Sequence, residues 1–99
     1  TDNKLTDVKG LENLTQLTTL WLTMNQLTDV TGLENLTQLT VLQLRGNNLT
    51  DVKVLEKLTK LEHLDLTKNP DLTKAQIDEL QKALPKCKIR SNTEARRSK

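Results

Sequence analysis

Aromatic residues are almost absent from this chain of 99 residues, which has no Phe, no Tyr and a single Trp. Its apolar residues are mostly leucine. An irregular globular interior needs side chains of varied shape to reach close packing. A core made largely of one residue type is instead typical of a structure in which each layer copies the layer below it. The length predicts one domain.

Residues that carry chemistry are also scarce. The single cysteine, Cys87, excludes an internal disulfide and a cysteine cluster for zinc, and we expect it to be a small buried hydrophobic residue. His63 and Asp65 are two residues apart, but zinc needs three or four ligands. The only serines, Ser91 and Ser98, lie near the C-terminus, so a hydrolytic triad has no nucleophile. The glycines form no phosphate-binding loop. We therefore expect no catalysis, no cofactor and no metal.

Long apolar runs are missing as well. No stretch approaches the roughly 18 apolar residues that a transmembrane helix needs, and the N-terminus lacks a hydrophobic signal region. We expect a soluble chain without a membrane partner. The location stays open between cytoplasmic and secreted, because we expect the sequence to start in the middle of a repeat.

The charge is small and unevenly distributed. The net charge of +2 divides into −1 for residues 1–89 and +3 for residues 90–99. Nucleic-acid binders carry a broad basic field, so this balance argues against a nucleic-acid partner. The polar, basic segment 90–99 is predicted to be a disordered tail.

A repeat of 22 residues organises the chain. It appears as LTTLWLTMNQL at 17–27, LTVLQLRGNNL at 39–49 and LEHLDLTKNPDL at 61–72. One asparagine recurs at the same step, as Asn3, Asn25, Asn47 and Asn69. A fixed period of this length predicts a solenoid of stacked coils.

The spacing of apolar residues within a repeat predicts the local structure. From Leu27 to Leu42 they lie three residues apart, and the step to Leu44 is two. A period of three favours a 3₁₀ arc, and a period of two favours a strand. We predict parallel strands near 19–22, 41–44 and 63–66. The repeated asparagine is predicted to satisfy backbone groups of its own turn and of the next coil.

The last repeat departs from this pattern. Thr73 and Gln76 form a predicted capping box, and Pro85 ends a helix at about 74–84 that covers the final layer. KCKI is expected to add one short strand, with Cys87 and Ile89 pointing inward. The predicted repeat domain spans 1–89 and comprises a partial repeat at 1–16 and full repeats at 17–38, 39–60 and 61–89.

The segment LxxLxLxxNxL, present three times, resembles the defining motif of the leucine-rich repeat family. The unit TDVxGLENLTQL is similar to the bacterial, internalin-like branch, and the resemblance covers residues 3–89. It implies an α/β fold, a right-handed solenoid in a horseshoe arc. A short parallel sheet would line the concave face and bind proteins, with 3₁₀-type arcs on the convex face and a capping helix at the C-terminus.

Residues between the inward leucines of the strands must point outward, and they vary while the leucines do not. The candidate protein-binding positions on this concave face are Thr19, Trp21, Thr23, Val41, Gln43, Arg45, His63, Asp65 and Thr67. Trp21 and Arg45 are the sharpest candidates, since Trp and Arg are enriched in binding hot spots. Trp21 has an alternative role, packing on Gln43 or on a neighbouring strand. Arg45 has one too, as a solvated charge paired with Asp65.

Two functional hypotheses follow. The favoured one is a non-catalytic protein–protein interaction module with a protein ligand on the concave face. The alternative is a structural segment of a longer array, or an engineered minimal scaffold, that forms a homodimer through its N-terminal edge. Leu5, Val8 and Leu20 would lie near that open layer, and an unpaired strand edge is a template for another strand.

Overall fold

The computed structural model describes residues 14–23 and 25–92. Its elements, in chain order, are β1 (Thr19–Trp21), a 3₁₀ helix (Leu33–Asn35), β2 (Val41–Gln43), a second 3₁₀ helix (Lys53–Lys57), β3 (His63–Leu66), α1 (Lys74–Ala83) and β4 (Lys88–Ser91). The predictions for most of the partial repeat (residues 1–13), for Met24 and for residues 93–99 lie outside the described residues.

The strands form one parallel sheet in the order β1-β2-β3-β4. Its register places Leu20 beside Leu42, Leu42 beside Leu64 and Leu64 beside Ile89. The paired leucines of β1 and β2, and those of β2 and β3, are separated by one sequence period. Each repeat is therefore one coil stacked on the coil before it. The predicted solenoid and its three strands are confirmed, and the predicted fourth strand is present.

The core is a column of leucines enclosed by the coils. Leu27, Leu33, Leu36 and Leu39 are all 0% exposed, and together they represent one complete arc. Because a step of three residues matches the turn of a 3₁₀-like arc, every third side chain returns to the interior. The next inward residues, Leu42 and Leu44, belong to β2 and its end, where alternation takes over.

The two arcs begin differently. The first starts at Gly32, whose φ of 107° is readily adopted only by glycine. The next repeat, 39–60, has Val54 at the position that matches Gly32. Its 3₁₀ helix begins earlier in the repeat, after Val52 with φ −127°, and extends over five residues. The arc that lacks the glycine therefore has a different start and a longer 3₁₀ helix.

The asparagines hold neighbouring coils together. Asn47 Nδ2 donates to the carbonyls of Leu44 in its own turn and of Leu22 in the preceding coil, both at 2.9 Å. Its Oδ1 accepts the backbone N–H of Leu27 at 3.2 Å. Asn69 repeats this pattern one coil later. The predicted role is right, but its direction is corrected: the amide reaches back to the preceding coil, not forward to the next.

The C-terminal coil ends in a helix and a strand. Thr73 and Gln76 form the predicted capping box, and α1 ends at Ala83, before Pro85. The prediction that disorder begins at residue 90 is wrong for residues 90–92. Strand β4 continues to Ser91, which is only 5% exposed, because Ser91 pairs with Leu66 and closes the sheet. No helix within the described ranges is long and apolar enough to cross a membrane.

Candidate functional site

The register of the sheet arranges its outward side chains in rows. The first row is Thr19, Val41 and His63, and the second is Trp21, Gln43 and Asp65, as the repeat period predicts. The third row, Thr23, Arg45 and Thr67, follows immediately after the paired segments, where each chain leaves the sheet. The six residues of the first two rows share one side of the sheet. We call the surface that these six residues and the adjoining third row form the concave face.

Strand β4 extends this face by two residues that the sequence analysis missed. Lys88 pairs with His63 in the first row, and Arg90 pairs with Asp65 in the second. Both side chains are exposed, whereas Ile89 and Ser91 between and after them are buried. The alternation of small or apolar residues with basic residues in CKIRS (87–91) could have predicted a strand up to Ser91. It was overlooked because residues from Arg90 onward were assigned to a disordered tail.

Trp21 is the most conspicuous apolar group on the concave face. The residue is 59% exposed. Trp21 lies on β1, and its register partner on β2 is Gln43. Trp21 is therefore largely accessible even with Gln43 beside it in the register. Large exposed aromatic side chains carry much of the binding energy in protein interfaces because they bury a large area with few rotatable bonds.

Gln43 and Asp65 have a structural role as well as an exposed position. Gln43 Oε1 accepts the backbone N–H of Arg45 at 3.2 Å, and Asp65 Oδ1 accepts that of Thr67 at 2.9 Å. Asp65 Oδ1 also accepts the Thr67 hydroxyl at 2.6 Å. These side chains hold the turn that follows each strand, so the turn keeps them in fixed orientations on the concave face.

Arg45 is exposed and its side chain makes no ion pair with Asp65, so the alternative in which the two pair diagonally is wrong. The reason is that the carboxylate is already turned toward Thr67. An ion pair is present on α1, where Lys74 and Asp78 are 2.7 Å apart.

A groove of about 560 Å³ lies over the C-terminal half of the sheet. Val41, Gln43, His63, Asp65, Lys88 and Arg90 of the concave face contribute to its walls, together with Gln81 and Pro85 at the end of α1. Gln81 Nε2 donates to the carbonyls of Leu84 and Cys87, at 3.0 and 2.9 Å. These bonds fix the connection between α1 and β4, and with it the wall of the groove.

The described residues hold no group of three or more His, Cys, Asp or Glu side chains placed to bind a metal ion. Cys87 is 4% exposed, and burial raises the pKa of its thiol to about 11. A thiol with so high a pKa is a poor nucleophile at neutral pH. The prediction that Cys87 is a buried hydrophobic residue is confirmed.

Comparison with known proteins agrees with this geometry. The sequence profile described as Leucine Rich repeats (2 copies) matches residues 1–35 and 37–85. No curated protein sequence matches the chain.

Several solved structures are similar over most of the chain. A leucine-rich repeat protein of Leptospira interrogans is 33% identical, with a TM-score of 0.79 over 88% of this chain and 23% of its own. Internalin C2 of Listeria monocytogenes is 33% identical, with a TM-score of 0.75 over 89% of this chain and 37% of its own. A second internalin from that organism is 32% identical, with a TM-score of 0.68 over 91% and 28%. This chain thus corresponds to well under half the length of each.

Proposed function

Because the chain belongs to the leucine-rich repeat family, we propose that it is a non-catalytic protein–protein interaction module whose concave face binds a protein ligand. One observation carries the proposal: the outward residues differ from strand to strand while the leucines between them stay the same. A fixed scaffold that presents variable exposed side chains is what a recognition surface requires.

The proposed binding residues are the nine positions of the concave face, with Lys88 and Arg90 added by β4. Trp21 supplies a large accessible apolar surface, and Arg45 supplies a charged planar group without an ion-pair partner among the described residues. Trp and Arg contribute most when a partner covers them and removes their water. These two residues should therefore anchor the ligand.

The proposal is tested with a partner recovered by affinity capture and then purified. The Trp21→Ala, Arg45→Ala double variant should weaken its affinity by at least about 1 kcal/mol in calorimetry, a typical threshold for hot-spot residues. The matched control is Lys53→Ala, Lys57→Ala on the second 3₁₀ helix, which removes two exposed side chains from the opposite side of the coil. A loss below about 1 kcal/mol in the concave-face variant, or an equal loss in the control, would contradict the proposal.

Self-association through the N-terminal edge remains the alternative hypothesis. In the described residues β1 pairs only with β2, and Leu17 and Leu20 are partly buried against the core. Leu5 and Val8, which the hypothesis also invokes, lie outside the described residues. Light scattering over a wide concentration range tests it: a mass that rises to that of a dimer would support the alternative, and a constant monomer mass would count against it.

A further inference from the structure

The charges of the concave face differ from those of the remaining surface. Its outward positions carry three basic residues, Arg45, Lys88 and Arg90, against one acidic residue, Asp65, which gives a net charge of +2 with His63 neutral. The rest of the segment 14–92 carries seven basic and eight acidic residues, a net charge of −1. The positive charge of the folded segment is therefore concentrated on one face.

Among the described residues, these basic groups form no ion pair. Arg45, Lys88 and Arg90 are all exposed. The one carboxylate among them, Asp65, accepts two hydrogen bonds from Thr67 at 2.9 and 2.6 Å. The Oδ1 atom of Asp65 is thus already hydrogen-bonded within the turn. The N–H groups of Arg45, Lys88 and Arg90 can therefore donate to a ligand.

The groove of about 560 Å³ brings two of these basic groups, Lys88 and Arg90, to one site. Lys88 and Arg90 contribute to its wall on β4, His63 lies beside Lys88, and Gln43 is two strands away from Arg90 in the same row. Donors therefore predominate at the C-terminal half of the face, while Trp21 provides apolar surface at the β1 end. Asp65 also lines the groove, so its Lys, Arg and Asp side chains together carry a net charge of +1. A cleft with a net positive charge attracts ligands of the opposite sign and orients them.

We propose that the ligand of the concave face is an acidic protein segment, with carboxylates over Arg45, Lys88 and Arg90 and an apolar side chain over Trp21. This inference rests on the proposed function and adds the chemistry of the partner. A nucleic acid fits the same charge less well. The face presents three basic groups, one Trp and one His, whereas nucleic-acid binders combine many phosphate contacts with several stacking residues.

The test uses the full chain and two synthetic peptides with the same order of residues. One combines Glu and Asp with Leu and Gly, and in the other Gln and Asn replace Glu and Asp. Fluorescence anisotropy of a labelled peptide should show binding of the acidic peptide that weakens as salt is added, because the attraction between exposed charges is screened. The uncharged peptide should bind at least about tenfold more weakly.

Charge-reversal variants locate the site. Lys88→Glu with Arg90→Glu should weaken binding of the acidic peptide by about tenfold or more. Lys53→Glu with Lys57→Glu makes the same change in net charge on the second 3₁₀ helix, and its affinity should stay within about threefold of the original chain. If charge reversal disturbs β4, the variant Lys88→Gln with Arg90→Gln serves instead. It removes the two positive charges without introducing negative ones.

Several results would overturn the inference. They are no binding of the acidic peptide, equal binding of the uncharged peptide, or equal losses from the face and arc variants. Tighter binding of single-stranded DNA than of the acidic peptide would favour a nucleic acid instead. If the purified partner depends on Trp21 and Arg45 but tolerates reversal of Lys88 and Arg90, the proposed function stands and the acidic ligand is wrong.

Discussion

At the scale of single residues, the repeated asparagine connects one coil to the next. The Leu22 carbonyl accepts from Asn25 Nδ2 and from Asn47 Nδ2, and the Leu44 carbonyl accepts from Asn47 and Asn69. Each of these strand-end carbonyls therefore has two amide donors, one from its own coil and one from the following coil. The Leu27 N–H has only Asn47 Oδ1 among its described partners.

This difference predicts the effect of removing one amide. Asn47→Ala leaves the two carbonyls with a remaining donor but leaves the buried Leu27 N–H without a partner. We expect a loss of about 2–4 kcal/mol in the free energy of unfolding, measured by urea denaturation. The neighbouring exposed Asn48→Ala is the control and should change it by less than about 0.5 kcal/mol. Equal effects of the two substitutions would show that the amide does not link the coils.

The position before the asparagine has a left-handed backbone. Gly46 has φ 76° and Lys68, one repeat later, has φ 61°. A residue with a Cβ is strained there by about 1–2 kcal/mol, whereas glycine is not. Lys68→Gly should therefore stabilise the protein by up to about 1 kcal/mol after the greater chain entropy of glycine is allowed for. Gly46→Ala should destabilise it by about 1 kcal/mol. A melting temperature that falls in Lys68→Gly would contradict this expectation.

Cys87 provides a test of burial at one residue. Its folded pKa of about 11 lies above the ordinary value of 9.0, so in the folded protein the thiol stays protonated where the unfolded chain begins to ionise. This contribution to stability is complete below pH 9.0 and is lost as the pH rises toward 11. At pH 8 we expect a maleimide to react with folded protein about a hundredfold more slowly than with urea-unfolded protein. Similar rates would mean that the thiol is accessible.

At the scale of elements, the capping helix depends on the residues at its start. Thr73 Oγ1 accepts the N–H of Gln76 at 3.2 Å, and Gln76 Oε1 accepts the N–H of Thr73 at 2.9 Å. Gln76 Nε2 also donates to the Thr50 carbonyl at 2.8 Å, which ties α1 to the preceding coil. The cap thus positions the helix as well as starting it.

Loss of the cap should weaken the C-terminal end of the solenoid. Thr73→Ala is expected to lower the free energy of unfolding by about 1 kcal/mol, because one N–H of the first turn loses its acceptor. Thr73→Ser keeps the hydroxyl and should stay within about 0.5 kcal/mol of the original chain. Chemical denaturation followed by circular dichroism measures both. A Ser variant as unstable as the Ala variant would rule out the hydrogen bond as the cause.

Elements built from the repeat could be predicted from the sequence. The leucine spacing determined the strands, the arcs and the rows of Trp21 and His63, because identical coils must stack in register. The strand β4 was only partly predicted, since its register with β3 steps by 25 residues and breaks the period. Arg90 was consequently missed as a row member. The hydrogen bonds that Asp65 accepts from Thr67 were also missed, because both residues were considered only as outward surface positions.

At the scale of the whole molecule, the residues that hold the coils together differ from most of those that we propose to bind a partner. The leucine column and the asparagine bonds fix the coils, and the outward positions of the sheet remain available for contacts with a partner. Gln43 and Asp65 belong to both groups, since each stabilises the turn after its strand and also lies on the concave face. Substituting either residue would change stability as well as binding, so Trp21, Arg45, Lys88 and Arg90 are the cleaner probes of recognition.

The fluorescence of Trp21 tests the central claim most directly, because this chain has one Trp and no Tyr or Phe. Emission and acrylamide quenching are measured for the free chain and for its complex with the purified partner, with complex formation checked independently by light scattering. If the concave face is the binding surface, emission shifts to shorter wavelength and quenching falls in the complex, since the indole loses water. Unchanged emission and quenching in a fully formed complex would contradict the claim and place the partner elsewhere on the molecule.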